Sequence, residues 1–290
     1  MKPFTYLRPT TVAEATAALA EHGDEAAVIA GGQTLLLAMK ERLERPSVLV
    51  SLQDVAETRG ISYEDDRALT IAAATPYREL RHAELRPGHG LLSTIASEVG
   101  DIPVQRMGTP GGALCFADPV FDFSLGAVAG GAEVELASGA GTRSLPVSEF
   151  LQGAYETALA PGELMTAIRF PPGGEAAKSS FVKHRMRRFD AAIVSVACIL
   201  GIGADGRIES ASIALGAVAP VPVRATAAEE LVTGEEMSDE LAREAGERAV
   251  DALSAAASNG NTRFSSEYKR DVLPTLVARA LRAATDDGKE

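Results

Sequence analysis

The sequence predicts an α+β protein made of a two-lobed domain and a smaller α+β C-terminal domain, and three observations carry that reading. A β-α-β pattern of about fifty residues opens the chain. A strand-and-helix pattern restarts at Leu69. The segment Pro171-Pro172-Gly173-Gly174, which neither helix nor sheet interior tolerates, then separates both from a hairpin and its following helices. These breaks set one domain at residues 1–172, with lobes at about 1–55 and 56–172, and a second at 178–286.

Each element has its own signal. Thr11 and Glu14 form a capping box ahead of Val12, Ala15, Ala18 and Leu19, which share one helical face, and Gly23 stops that helix. Ala27-Val28-Ile29-Ala30 reads as a short buried strand broken by Gly31-Gly32. A helical stretch from Leu35 to Leu43 follows, and Pro46 precedes the strand Ser47 to Leu52. In the second lobe Leu69 to Ala74 is a strand and Leu91 to Val99 a helix. Asp101 to Pro119 is a glycine- and proline-rich loop. Glu133 to Leu136 alternates as a strand before the turn Gly139-Ala140-Gly141, and Glu163 to Phe170 is another strand. Beyond the break, Ile193 to Ile202 and Ile208 to Val218 flank Ala204-Asp205-Gly206, and Asp-Gly is a tight-turn signal. Helices are expected from about Asp239 to Ser258 and from about Tyr268 to Ala284.

Composition narrows the function. The 290 residues are 46% hydrophobic, enough for a sizeable core. A net charge of -12 disfavours nucleic acid and anionic membranes as partners. The opening Met1-Lys2-Pro3-Phe4-Thr5-Tyr6 has no apolar core of a signal peptide, and no apolar run has the length of a membrane span. A cytoplasmic protein without an integral membrane segment is expected. Cys115 and Cys198 stand far apart, and His22, His82, His89 and His184 show no ligand spacing, so no metal site is expected. Nucleophile–base pairs and paired carboxylates are not evident either, and no catalytic residue is assigned. Such a chain fits a protein whose reactive atoms belong to a cofactor.

Two glycine motifs point to a nucleotide. In Ala30-Gly31-Gly32-Gln33-Thr34-Leu35, small residues let backbone N–H groups converge into an anion nest, and the next helix brings its positive end. Thr34 can donate to a phosphate oxygen. A tight strand–helix turn is the competing reading. Gly108-Thr109-Pro110-Gly111-Gly112-Ala113, followed by Ala117-Asp118-Pro119 and Asp122, repeats this chemistry in the second lobe. Two such loops in adjacent lobes clamp the two phosphates of a dinucleotide from opposite sides. Asp118 and Asp122 suit sugar hydroxyls, with a helix N-cap as the alternative for each. Neither motif is a Rossmann fingerprint or a P-loop. Lys183, Arg185, Arg187 and Arg188 crowd a short stretch, read as a cofactor contact, a docking face or a solvated loop.

These motifs resemble the FAD motifs of the medium subunits of molybdenum hydroxylases, the xanthine dehydrogenase and carbon monoxide dehydrogenase family. The opening Pro3 to Thr10 is similar to that family's, as are Gln152-Gly153-Ala154-Tyr155, Pro161 to Ile168, and Glu267-Tyr268-Lys269-Arg270 with Leu276 to Leu281. The resemblance runs nearly end to end. It implies a two-lobed FAD-binding domain of the vanillyl-alcohol-oxidase (PCMH) type followed by a smaller α+β domain. It also implies an electron-transfer role: FAD would take electrons from an iron–sulfur small subunit, fed in turn by a molybdopterin large subunit, in a dimer of heterotrimers. Carried over residue by residue, FAD contacts fall on Ile29, Ala30, Gly31, Gly32, Gln33, Thr34, Leu35, Thr75, Gly108, Thr109, Gly111, Gly112, Ala113, Ala117, Asp118, Asp122, Leu164 and Lys183. Three departures stand out. The family usually has Ile or Leu at Pro110 and Asn at Ala113, which puts hydrogen bonds to FAD in doubt and makes Gln105 or Arg106 the candidates to replace them. The family often has an aromatic residue after the aspartate aligned with Asp190; here that place is Ala191, leaving Phe189 or nothing aromatic to cover the ring. A flavin-free structural subunit and a self-sufficient FAD oxidoreductase are the alternatives.

Overall fold

The computed structural model describes residues 2–255 and 264–286. A three-stranded parallel sheet begins the chain, with Val48–Ser51 between Thr5–Leu7 and Ala26–Ile29. Thr5–Leu7 was not foreseen; two of its three residues are exposed, so it lacks a buried strand's apolar run. Val48–Ser51 is fully buried, whereas Ala26–Ile29 is only half-buried because it forms the sheet's edge. The helix Val12–His22 packs on this sheet through Ala15 and Leu19. Its Thr11 hydroxyl accepts the Glu14 N–H as expected. The Glu14 carboxylate, however, accepts from the N–H and hydroxyl of Thr10 rather than from Thr11.

The second lobe is a five-stranded antiparallel sheet in the order Ile61–Tyr63, Leu69–Ala72, Leu164–Phe170, Glu133–Ser138, Gly141–Pro146. Its buried face packs against the helices Gly90–Glu98 and Asp122–Ala129 around Ile95, Leu114, Phe123 and Phe170. The segment read as a loop, Asp101 to Pro119, is instead mostly helical, as Ile102–Met107 and Pro110–Phe116. Both helices start on a capping side chain with proline in the first turn. There its missing N–H costs nothing, so proline marks a helix start.

The chain then builds a four-stranded antiparallel sheet from Ala177–His184, Val194–Ile202, Ile208–Gly216 and Val223–Arg224. The hairpin turns at Gly206, whose φ of 82° suits glycine. The helices Thr226–Val232, Asp239–Ala249 and Ser266–Thr285 cover one face and share a core with it. The helix expected to about Ser258 breaks after Ala249 and resumes at Asp251–Ala255; its expected end lies outside the described residues. Ala177–His184 was not foreseen as a strand, since its polar residues Lys178, Ser179, Ser180 and Lys183 mask the alternation. Among the described residues no helix is long and apolar enough to cross a membrane.

Candidate functional site

The first glycine motif leaves the strand Ala26–Ile29 and turns at Gly32, in the left-handed region at φ 68°. Among the described residues, the N–H groups of Gly31, Gly32, Gln33, Thr34 and Leu35 have no protein acceptor. Successive free N–H groups around a left-handed glycine make an anion-binding nest. The helix behind it, Leu35–Lys40, spans only 6 residues, so the nest supplies most of the pull and the helix end little. The Thr34 hydroxyl makes no capping bond and stays free for a ligand. Gln33 is exposed and its amide donates to the Gly31 carbonyl at 3.3 Å. Ile29, Ala30 and Leu35 are half-buried around the turn.

The second motif meets the first directly. A β-carbon on Gly31 would lie 1.8 Å from the Met107 carbonyl oxygen and 2.9 Å from the Gly108 α-carbon. The Gly108 carbonyl in turn accepts the Tyr77 N–H at 2.9 Å, tying the start of the helix Tyr77–His82 to this motif. Thr109 caps the helix Pro110–Phe116 by accepting the Gly112 N–H at 3.2 Å, which leaves its hydroxyl proton free to donate. The Gly111 N–H goes to the Ala73 carbonyl at 3.0 Å, and a β-carbon there would strike Ala73 at 2.5 Å. Gly111 therefore serves close helix–strand packing. Gly112 is exposed, and only Thr109 Oγ1 would stand near its β-carbon. The expected replacement of lost hydrogen bonds by Gln105 does not hold, because both ends of its amide are engaged, with Arg81 and the Ser97 carbonyl. Half-buried Ala113 offers only a methyl group.

Ala117 adopts a left-handed conformation at φ 51° and turns the chain into Asp118. Neither aspartate is a helix N-cap. Asp118 forms a turn, one oxygen accepting the Val120 N–H and the other the Tyr155 hydroxyl, both at 3.1 Å. Tyr155, exposed and left-handed at φ 62°, was not among the expected contacts, although it lies in the Gln152 to Tyr155 block. Asp122 begins the helix Asp122–Ala129 and is 5% exposed. Its Oδ2 is 2.6 Å from Lys183 Nζ, while its Oδ1 is buried with no hydrogen-bond donor. Burial outweighs the lysine and pushes the Asp122 carboxyl up to about 6.

The basic cluster divides. Lys183 lies in a strand and pairs with Asp122, and Arg185 is 2.6 Å from the Glu98 carboxylate. Only the tip is exposed: Met186, Arg187, Arg188 and Phe189, with the Arg188 guanidinium 5.6 Å from the Phe189 ring centre. Two further candidates are held inside the protein. The Thr75 hydroxyl is spent on the Gly60 N–H and carbonyl, at 2.9 and 3.0 Å. Leu164 packs in the core joining the lobes with Leu19, Val50 and Leu52. Burial pushes both cysteine thiols up to about 12, so neither is a nucleophile near neutral pH.

Taken together, the free nest, the abutting capped helix and the orphaned Asp122 oxygen fit a dinucleotide with a pyrophosphate and hydroxyl-bearing chains. The comparisons with known proteins agree. Residues 2–173 match the FAD binding domain in molybdopterin dehydrogenase, and residues 179–284 match the CO dehydrogenase flavoprotein C-terminal domain. The chain is 30% identical over 290 residues to the caffeine dehydrogenase subunit beta of Pseudomonas sp. (strain CBB1), covering 99% of this chain and 97% of that one. It is 31% identical over 281 residues to the carbon monoxide dehydrogenase medium chain of Afipia carboxidovorans, covering 97% and 96%. Among solved structures, carbon monoxide dehydrogenase from Hydrogenophaga pseudoflava superposes with a TM-score of 0.90 at 31% identity, covering 98% of this chain and 97% of that one. Quinoline 2-oxidoreductase from Pseudomonas putida 86 gives 0.91 at 28% identity, covering 98% of each. The fold is thus the two-lobed FAD-binding domain of the PCMH type with its C-terminal domain, and the chain belongs to the FAD-binding flavoprotein subunits of the molybdopterin-dependent oxidoreductases.

Proposed function

We propose that this chain is the electron-transfer subunit of a three-subunit molybdenum hydroxylase. FAD, when bound, supplies a redox group that takes electrons from iron–sulfur clusters of a small partner subunit and yields them to an external acceptor. Substrate chemistry belongs to a large molybdopterin subunit. The observation that carries this reading is the nest of free N–H groups from Gly31 to Leu35 set against the backbone of Met107 and Gly108. That arrangement offers donors where a pyrophosphate would bring negative charge.

Each residue then has a part. Gly31, Gly32, Gln33 and Thr34 hold phosphate through their N–H groups, aided by the Thr34 and Thr109 hydroxyls. Gly112 leaves room for the cofactor at the second helix, with Ala113 beside it. Ala117 aims Asp118 at a sugar hydroxyl, and Asp122 accepts from another with its free oxygen. Lys183 brings positive charge to the polar edge of the ring, Ile29, Ala30 and Leu35 supply apolar walls, and Leu164 supports them from the core behind. Thr75, Gly108 and Gly111 contribute through backbone placement. Pro110 occupies the first helical position, where its missing N–H costs the fold nothing but leaves one donor fewer for the cofactor, the feature that favours a flavin-free structural subunit.

Copurification tests the role. Expressed with its neighbours, the chain should come out with a cysteine-rich small subunit and a large subunit in equal amounts, as a dimer of heterotrimers. A chain that stays alone would count against the subunit reading.

A further inference from the structure

Lys183 and Asp122 stand in a larger charged network. Lys183 Nζ also donates to the Glu98 carbonyl at 3.2 Å, and the Glu98 carboxylate is 2.6 Å from Arg185. The helices Gly90–Glu98 and Asp122–Ala129 thus meet the end of the strand Ala177–His184 through two anions and two cations. Tyr77, from the helix Tyr77–His82, also faces Asp122; burial and that carboxylate both push its hydroxyl up, so it stays neutral.

We propose that Glu98 and Arg185 are positioning residues that set the charge on Asp122 and thereby make FAD retention depend on pH. The proposal rests on the reading that Asp122 faces FAD. Its buried Oδ1 lacks a donor. A cofactor hydroxyl bonded there favours the carboxylate over the acid, so binding FAD drives a proton off Asp122 into solvent. Without FAD the carboxyl sits at about 6, raised by burial and by Glu98, and lowered by Lys183 and Arg185. FAD is therefore held best above that value and lost as pH falls through it.

The two positioning residues act with opposite sign. Removing the Arg185 charge leaves Glu98 pushing Asp122 up; removing the Glu98 charge leaves Arg185 pulling it down. The experiment is FAD binding to the full-length chain by flavin fluorescence from about pH 5 to about pH 8, with thermal melting as the check on folding. Arg185→Met should move the midpoint up by about half a pH unit and Glu98→Gln down by a similar step. Arg185→Lys should stay near wild type, and Asp122→Asn should flatten the profile. If Arg185→Met fails to fold, the downward shift in Glu98→Gln alone supports the proposal. Weaker binding in both variants at an unmoved midpoint would overturn it, as would a flat wild-type profile, while FAD binding itself stood. No binding of FAD at any pH would overturn this proposal and the cofactor site together.

Discussion

The Met107 carbonyl oxygen stands 1.8 Å from the place a β-carbon on Gly31 would take. The two glycine motifs thus touch backbone to backbone, with no room between them for a side chain. Gly31→Ala must separate the lobes, and overpacking of this kind costs about 1–3 kcal/mol. FAD content, read from the ratio of visible to ultraviolet absorbance, should fall severalfold. Full occupancy with unchanged stability would mean that the motifs are not a clamp.

Gly112 gives the complementary variant. A bulky replacement at Gly111 would strike Ala73 and disrupt packing, so Gly111→Trp confuses folding with binding. A β-carbon at Gly112 would meet only Thr109 Oγ1, at 2.9 Å. Gly112→Leu should keep a melting temperature within a few degrees of wild type, since surface changes usually stay within about 0.5 kcal/mol. It should nonetheless lose most of its flavin. Retained flavin would show that the cofactor does not pass over this helix start.

Asp122 sets a pH dependence in the flavin-free chain. Its folded carboxyl lies at about 6, above the ordinary 3.8, so the folded state binds the proton more tightly than the unfolded state. The resulting stabilisation is present below the ordinary value and is lost as pH rises through 6. Wild type should therefore lose stability relative to Asp122→Asn between about pH 4 and about pH 6, by on the order of 2 kcal/mol. Urea unfolding at several pH values reads the difference. A constant difference would remove Asp122 from the account.

FAD should be bound without a covalent link. Cys115, on the helix of the second motif, has its thiol pushed up to about 12, and no histidine lies in either motif. Acid precipitation should leave the yellow colour in the supernatant; colour in the pellet would contradict this.

The first glycine motif was legible because part of its constraint is local: Gly32 sits in a left-handed turn that demands glycine where it stands. Which task each glycine serves was not legible, because the Ala73 contact that separates Gly111 from Gly112 comes from a distant strand. The pairing of Lys183 with Asp122 was hidden for the same reason, since it joins elements 61 residues apart. The segment Asp101 to Pro119 read as a loop because its prolines and glycines were counted as breakers rather than placed in first helical turns.

The exposed tip, Met186 to Phe189, is expected to meet a partner subunit, since Arg187 and Arg188 are uncovered in a chain of net charge -12. Arg187→Glu with Arg188→Glu should loosen the complex in gel filtration and leave FAD content unchanged. An equally tight complex would place docking elsewhere.

The central claim is that this chain carries electrons from a partner rather than taking them from substrate. Anaerobic rapid mixing with substrate, followed by flavin absorbance, tests it most directly. The account predicts prompt bleaching in the assembled complex and none in the isolated, FAD-loaded chain. Bleaching of the isolated chain by substrate would contradict it and leave a self-sufficient flavoenzyme.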